Sequence, residues 1–394
     1  MSAIYLFTRD LRTEDNPGLI KCCAENDRVY PMFLLNTLQL NNNTYYSKRS
    51  VRFMLEALTA LDAKLGNKLT VIMGAYEHLL KCRDKIGEGT KIYMMHDYTK
   101  FAAERAAALG AITVRDDLCI VDKPYLVFAP YQRKVLNIGV DKPIDITAAA
   151  NALQSNMPKF YNGVVGSLDL QAILRDFAQV DNIAYRGQTA VELNGAIMPT
   201  IAPAIFARYS DRNFPSRGVT TLLSPYIKFG VISLRQAYYL SNNVDFRREI
   251  IFRQYFYQMY EAYSDRVEAE FGANIQNKYK NIPDDAFIAW CQGRTGVAMV
   301  DAGMRELNAT GYMHNRCRMI CASYLVHTMG YHWKLGEKYY ANQLRDYDHV
   351  INKMNWGWVA GLRIFNRRPP LAFNPALQAK RYDKDAEYQN KWLK

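Results

Sequence analysis

The chain lacks the marks of several common protein classes. It has 7 cysteines in 394 residues, none with C-x-x-C spacing, and an odd count in so long a chain argues against a disulfide framework. Reduced thiols are expected. Cys317 and Cys321 stand four apart and could share a helix face, but no His or acid completes a metal set, so both read as small buried residues. No apolar run is long enough to span a bilayer, and the opening MSAIYLFTRD has no basic stretch followed by an apolar one. The expectation is an intracellular protein, cytoplasmic or nuclear, neither secreted nor bound to a membrane. No G-x-G-x-x-G follows the first strand-like run, which excludes the standard dinucleotide fingerprint. There is no internal repeat and no low-complexity segment.

What is present is ordinary globular composition with a basic excess. Hydrophobic residues make up 49% and charged residues 22%, and 394 residues suffice for two or three domains. A net charge of +12 favours an anionic partner, nucleic acid first and a membrane surface second; a generally basic solvated surface explains it equally well. The 28 tyrosines suit aromatic packing, stacking or electron hopping.

The first third alternates strand-like and helix-like patterns. Apolar runs at 4–7, 29–35, 69–73, 92–95 and 112–114 are separated by helical patterns at 17–25, 47–65, 77–86 and 99–109. Such alternation predicts a doubly wound parallel sheet with helices on both faces, a Rossmann-like α/β domain over residues 1–120. TRDLRTEDNP lies at the carboxyl end of the first strand, as a functional loop or as a loop docked on a second domain. Residues 121–198, punctuated by Pro124, Pro130, Pro143 and Pro158, read as a long connector with short helices. Residues 199–394 read as all-helical, with helices at 233–240, 247–263, 297–307, 316–329 and 348–353.

Chemistry-bearing residues concentrate in that last part, above all between Trp290 and Trp358, where four of the five Trp fall, at 290, 333, 356 and 358. Trp mixed with Asn, Arg and Asp suits a pocket for a flat ring with polar edges. Thr220, Thr221 and Ser224 in TTLLSPYIKFG offer a phosphate cradle or a simple helix cap. Glu249, Phe252, Arg253 and Phe256 recur at helical spacing, for a base edge or as a solvated charge pair. Asn315 and Met319 share a helix face, and Arg318 could pair with Asp346 or Asp348; buried, such a pair calls for a neighbouring ligand. Asp348 and Asn352 are four apart on a short helix, with Trp356 and Trp358 beyond it. His314 reads as a structural residue. Arg363, Arg367, Arg368, Lys380 and Arg381 are candidate phosphate contacts or a solvated basic surface.

These segments together resemble the photolyase/cryptochrome family along nearly the whole chain. TRDLRTEDNPGL is similar to the family's opening signature, TTLLSPYIKFGVIS to its flavin-phosphate loop, and WCQGRTGVAMVDAGMRELNATGYMHNRCRMICAS with NWGW to its flavin and substrate block. FNPALQAKRYD resembles its carboxyl-terminal signature. The resemblance implies an antenna-type α/β domain and a helical domain holding FAD. By this likeness Tyr209, Thr220, Thr221, Leu222, Leu223 and Ser224 hold the FAD phosphates and ribityl chain. Arg253, Asp346 and Asp348 line the flavin, Arg318 pairs with Asp346, and Asn352 faces flavin N5.

Within the family, GYMHNRCRM is most like the enzymes that split cyclobutane pyrimidine dimers with light, using reduced FAD. A flavin photoreceptor without repair activity is the alternative. UV-damaged DNA is the implied partner and a monomer the implied state. Glu249, Phe252, Asn315, Arg316, Met319, Trp358 and Gln378 would meet the lesion or its DNA, with the damaged pair flipped into the pocket. Trp356 and Trp333 match the family's electron relay. The sequence departs from the family at three points. Phe252 replaces a stacking Trp, the outermost relay Trp has no counterpart (Tyr279 stands nearest), and Ala102 replaces an acidic antenna contact, so the second chromophore stays open.

Overall fold

The computed structural model describes residues 1–36, 39, 43–144, 201–273, 279–365 and 372–394. The expected connector beyond residue 144, including Pro158, lies outside the described residues, as do Arg367 and Arg368.

Five short apolar strands build the first domain: β1 Ser2–Phe7, β2 Arg28–Asn36, β3 Thr70–Gly74, β4 Lys91–Met95 and β5 Ile112–Val114. Between them run α1 Pro17–Glu25, α2 Lys48–Lys64, α3 Tyr76–Ile86 and α4 Lys100–Leu109. All pairings are parallel, in the order β3-β2-β1-β4-β5. Alternation along β1 sends Ala3, Tyr5 and Phe7 into one apolar core and Ile4 and Leu6 into another, so both faces are covered. Strand order reverses beside β1, which opens a crevice at the carboxyl ends of β1 and β4.

The TRDLRTEDNP loop leaves β1 there and docks on the second domain. Leu11 N donates to Phe229 O at 3.0 Å and Arg12 Nη1 to Gly230 O at 3.1 Å. Buried Asp15 and half-buried Asp116 both accept from Arg235, at 2.9 and 2.6 Å. The approach is close enough to demand glycine: Gly230 has φ +66°, and a Cβ there would lie 2.0 Å from Arg9 O. Phe53 of α2 stacks on Phe229 and meets Tyr226 edge-on, so one apolar core runs through both domains. The described start of the connector forms α5 Phe128–Ile138. It is tied to the second domain by Tyr131 Oη donating to Gln258 and Tyr255 Oη to Leu126 O, both at 2.9 Å.

From residue 201 the described chain is helical. The elements used below are α6 Ser224–Lys228, α7 Val244–Ala273 (kinked at Tyr263), α8 Asp285–Gln292, α9 Ala298–Thr310, α10 Asn315–Ser323, α11 Trp333–Gln343, α12 His349–Ala360 and α13 Pro375–Tyr382. Two expectations need correction. The helix expected at 316–329 is α10 followed by a π-helical turn, Tyr324–Thr328. Asp346 and Asp348 are not helical, and Trp356 and Trp358 lie inside α12 rather than past it, because Asp348 is the N-cap and Gly361, at φ +76°, ends the helix. Among the described residues no helix is long and apolar enough to cross a membrane, and no group of three His, Cys, Asp or Glu could hold a metal. None of the cysteines is in a disulfide.

Candidate functional site: a cavity in the helical domain

One cavity of about 580 Å³ opens in the helical domain, a size suited to an organic ligand. Four segments converge on it: the loop before α6, one face of α7, the start of α10, and residues 346–359. Of the residues expected to hold FAD, meet the lesion or relay electrons, it brings together all but two. Trp333 is buried outside the lining, and Gln378 is half-buried on α13 with its Oε1 lacking a hydrogen-bond partner.

The loop before α6 has an unusual backbone. Leu222 adopts φ +52°, the left-handed region that costs a residue with a Cβ about 1 kcal/mol, and Leu223 follows in the right-handed region. A left-handed and right-handed pair of this kind turns successive N–H groups toward one point, a concavity that suits an anion. Thr220, Thr221 and Ser224 line the cavity beside it.

Two carboxylates form the charged wall. Arg318 Nη2 donates to Asp346 Oδ2 at 3.0 Å. Burial alone would push the Asp346 carboxyl up, but the Arg318 guanidinium outweighs it and holds it below the usual range. Its Oδ1 is buried with no hydrogen-bond partner, an acceptor waiting in the wall of a cavity. Asp348 is more tightly held. Its Oδ2 accepts from Arg9, from Tyr257 Oη at 2.6 Å and from Arg253 at 3.4 Å, while Oδ1 caps α12 through Ile351 N at 3.1 Å. Against burial, these partners keep it ionised.

Asn352 sits one turn into α12. Its amide nitrogen donates to Glu337 O at 3.2 Å and to Glu337 Oε1 at 3.1 Å, which leaves its carbonyl oxygen as the free acceptor. Glu337 is 1% exposed, and burial pushes its carboxyl up to about 7.

At the mouth, both oxygens of Glu249 are engaged. Oε2 accepts from Tyr209 Oη at 2.5 Å and Oε1 from Arg212 Nε at 2.8 Å. Tyr209 lines the cavity, but its hydroxyl goes to Glu249. Asn315 and Met319 share one face as expected, 3.9 Å apart from Nδ2 to Sδ. Phe252 and Trp358 are half-exposed in the lining, whereas Trp356, two residues from Trp358 and so nearly opposite on the helix, is buried. Arg316 donates to Asn213 at 2.5 Å and lies 4.3 Å over the Tyr382 ring. His314 is structural: its Nδ1 accepts from Arg316 N at 3.1 Å, its Nε2 donates to Arg212 O at 2.8 Å, and burial lowers its pKa to about 4.

Sequence reasoning missed Arg9, Tyr257 and Glu337. Glu337 had a usable signal. It falls on the apolar stripe of α11 with Trp333, Tyr340 and Ala341, where an acid needs a partner. Arg9 had none, since nothing in its loop points to a carboxylate in another domain.

A doubly wound sheet docked on helices, with a cavity of this size lined by anion-binding backbone, Arg–Asp pairs and Trp, defines a protein built around an aromatic nucleotide cofactor. Residues 246–394 match the FAD binding domain of DNA photolyase, and residues 3–122 match DNA photolyase. The structure is similar to an archaeal photolyase from Sulfolobus tokodaii that holds two FAD molecules, at TM-score 0.80 and 30% identity, covering 100% of this chain and 90% of that one. In sequence it is 28% identical over 442 residues to a deoxyribodipyrimidine photo-lyase of a Synechococcus strain, covering 100% of this chain and 88% of the relative. It is 27% identical over 454 residues to cryptochrome-2 of Arabidopsis thaliana, covering 99% and 70%. The chain belongs to the DNA photolyase family, and its helical domain is an FAD-binding domain.

Proposed function

We propose that the protein repairs cyclobutane pyrimidine dimers in DNA under light, with FAD in the helical cavity. Bound and reduced, FAD supplies an electron under illumination that opens the dimer's cyclobutane ring and is then returned. The residues present fit that cofactor. The Leu222–Leu223 concavity with Thr220, Thr221 and Ser224 suits the phosphates, and the unpartnered Asp346 Oδ1 suits a ribose or ring donor. Arg253 and Asp348, both in the cavity lining, would face the ring.

The observation that carries the reading is the fixed amide of Asn352. With its nitrogen tied to Glu337, its carbonyl can only accept, and so favours a ring nitrogen that carries a proton, as in the reduced flavin. The mouth completes it. Glu249, bonded to Arg212 and Tyr209, accepts an N–H from a base edge, and Trp358 and Phe252 offer faces for stacking. Arg316, Lys380 and Arg381 add charge for phosphates, and Gln378 stands with them on α13.

A light-sensing role without repair is the alternative, supported by the cryptochromes among the relatives. Illuminating the fully reduced protein with a dimer-containing oligonucleotide and counting restored pyrimidines separates the two. Light-dependent restoration supports repair, and its absence from the fully reduced protein rejects it.

The candidate place for a second chromophore is the crevice between β1 and β4. Arg105 Nε and Nη2, His78 Nδ1 and Thr8 Oγ1 are buried without hydrogen-bond partners, with Asp97 nearby. The two FAD molecules of the Sulfolobus tokodaii protein make a flavin the first candidate. Two flavins per chain in the purified protein support it, and a single flavin with no other pigment removes it.

A further inference from the structure

Tyr209 is expected from the sequence to hold the FAD phosphates, but its one hydroxyl proton goes to another partner. Its Oη donates to Glu249 Oε2 at 2.5 Å. Burial, then the Glu249 carboxylate, pushes the Tyr209 hydroxyl well above its usual range, so the proton stays on it. An ionised phosphate oxygen can only accept, and a hydroxyl that already donates to a carboxylate has no proton left to offer it.

The ring cannot swing to a second partner without unpacking. It is 4% exposed, meets Phe246 edge-on at 5.5 Å and 85°, and has the Arg212 guanidinium 5.3 Å over its face. Its backbone is fixed as well. Arg212 Nη1 donates to Tyr209 O at 3.2 Å, and Arg212 O accepts from His314 Nε2 at 2.8 Å. The short turn Tyr209–Asn213 is thereby pinned between α7 and the start of α10.

Glu249 is the member of this cluster that faces outward. Its side chain is 52% exposed at the cavity mouth, where an unbonded glutamate would sample several rotamers. Two donors remove that freedom. Tyr209 holds Oε2, Arg212 Nε holds Oε1 at 2.8 Å, and Asp245 Oδ2 steadies the same guanidinium through Nη1 at 3.0 Å. A carboxylate has about four acceptor sites, so capacity remains for a donor from outside.

We propose that Tyr209 is a positioning residue for the lesion rather than for FAD: with Arg212 it fixes the Glu249 carboxylate, before DNA arrives, in the pose that accepts a base N–H. The inference rests on the repair reading above. Ordering the side chain in advance removes a cost that binding otherwise carries. The FAD phosphates are left to the Leu222–Leu223 concavity, whose backbone N–H groups need no hydroxyl.

The test uses FAD-loaded full-length protein. Flavin content and release are read by absorbance, and binding of a dimer-containing and an undamaged oligonucleotide is measured side by side. Tyr209→Phe, which removes one oxygen, should leave flavin content and release unchanged. It should weaken binding of the dimer oligonucleotide about three- to tenfold and leave the undamaged one unchanged. In a Glu249→Ala background the same substitution should weaken dimer binding no further, because the carboxylate it positions is gone. Faster flavin release in Tyr209→Phe, equal weakening toward both oligonucleotides, or additive losses in the double variant each overturn the inference while the repair reading stands. A wild type with no preference for the dimer oligonucleotide overturns both.

Discussion

Arg9, at the end of the first strand, donates to Asp348, 339 residues further along the chain. The loop that docks the α/β domain thereby also holds the carboxylate that caps α12 and lines the cavity. The Asp348 side chain is 1% exposed, so losing a guanidinium leaves a buried charge with less compensation. Arg9→Ala should destabilise the protein by about 3 kcal/mol in urea unfolding and weaken FAD retention. Arg9→Lys keeps the charge but not the fork that also reaches Tyr257, and should fall between. Wild-type unfolding and FAD affinity in Arg9→Ala would show the contact to be idle.

Glu337 makes stability fall with pH. Its carboxyl, ordinarily near 4.5, is raised to about 7 by burial, with Glu268 adding to it and Lys353, Asn352 and Tyr45 opposing. The folded state therefore binds more protons than the unfolded one between these values. Its contribution is fully present below about pH 4.5 and is lost as pH rises through about 7. The slope cannot exceed about 1.4 kcal/mol per pH unit. Unfolding measured from pH 5 to 8 should show this slope in the wild type and a flatter profile in Glu337→Gln. Equal profiles would mean that the carboxyl is ionised throughout.

Glu249 should matter to DNA more than to FAD. A hydrogen bond to a charged group contributes about 2 kcal/mol, so Glu249→Ala should lower dimer binding or repair per photon by about tenfold or more. Glu249→Gln, which keeps one acceptor for Tyr209 or the base, should lose less. Flavin content measured by absorbance should stay near wild type in both. Equal loss of flavin and repair would make Glu249 a structural partner of Tyr209 and Arg212.

Gly230→Ala tests the domain junction. A methyl group there meets Arg9 O and Asp10 Cα, both backbone, in a left-handed conformation. A loss of about 2–4 kcal/mol is expected in chemical denaturation, with a drop in flavin content because Arg9 shifts. A wild-type midpoint would mean that the two domains separate easily.

Local patterns could be read from the chain because their causes are local. The run at 29–35 became β2 Arg28–Asn36, and the pattern at 17–25 became α1, since period-2 and period-3.6 apolar spacing selects strand or helix before any distant contact forms. The cavity residues were readable as motifs because their spacing puts Asn315 with Met319 and Asp348 with Asn352 along one helical turn. Boundaries were less legible. Asp348 as a cap and Trp358 within α12 depend on where a side chain turns back to the backbone.

The amino-acid order alone determined the alternation of strands and helices, the helical second half and the motifs whose residues line the cavity. Only the tertiary structure decided that Arg9 meets Asp348 and that Glu337 is buried behind Asn352. Periodicity acts over one or two turns of chain. Charge pairing and ring contact act through space, and which distant groups meet is set by how both domains bury their apolar faces against each other.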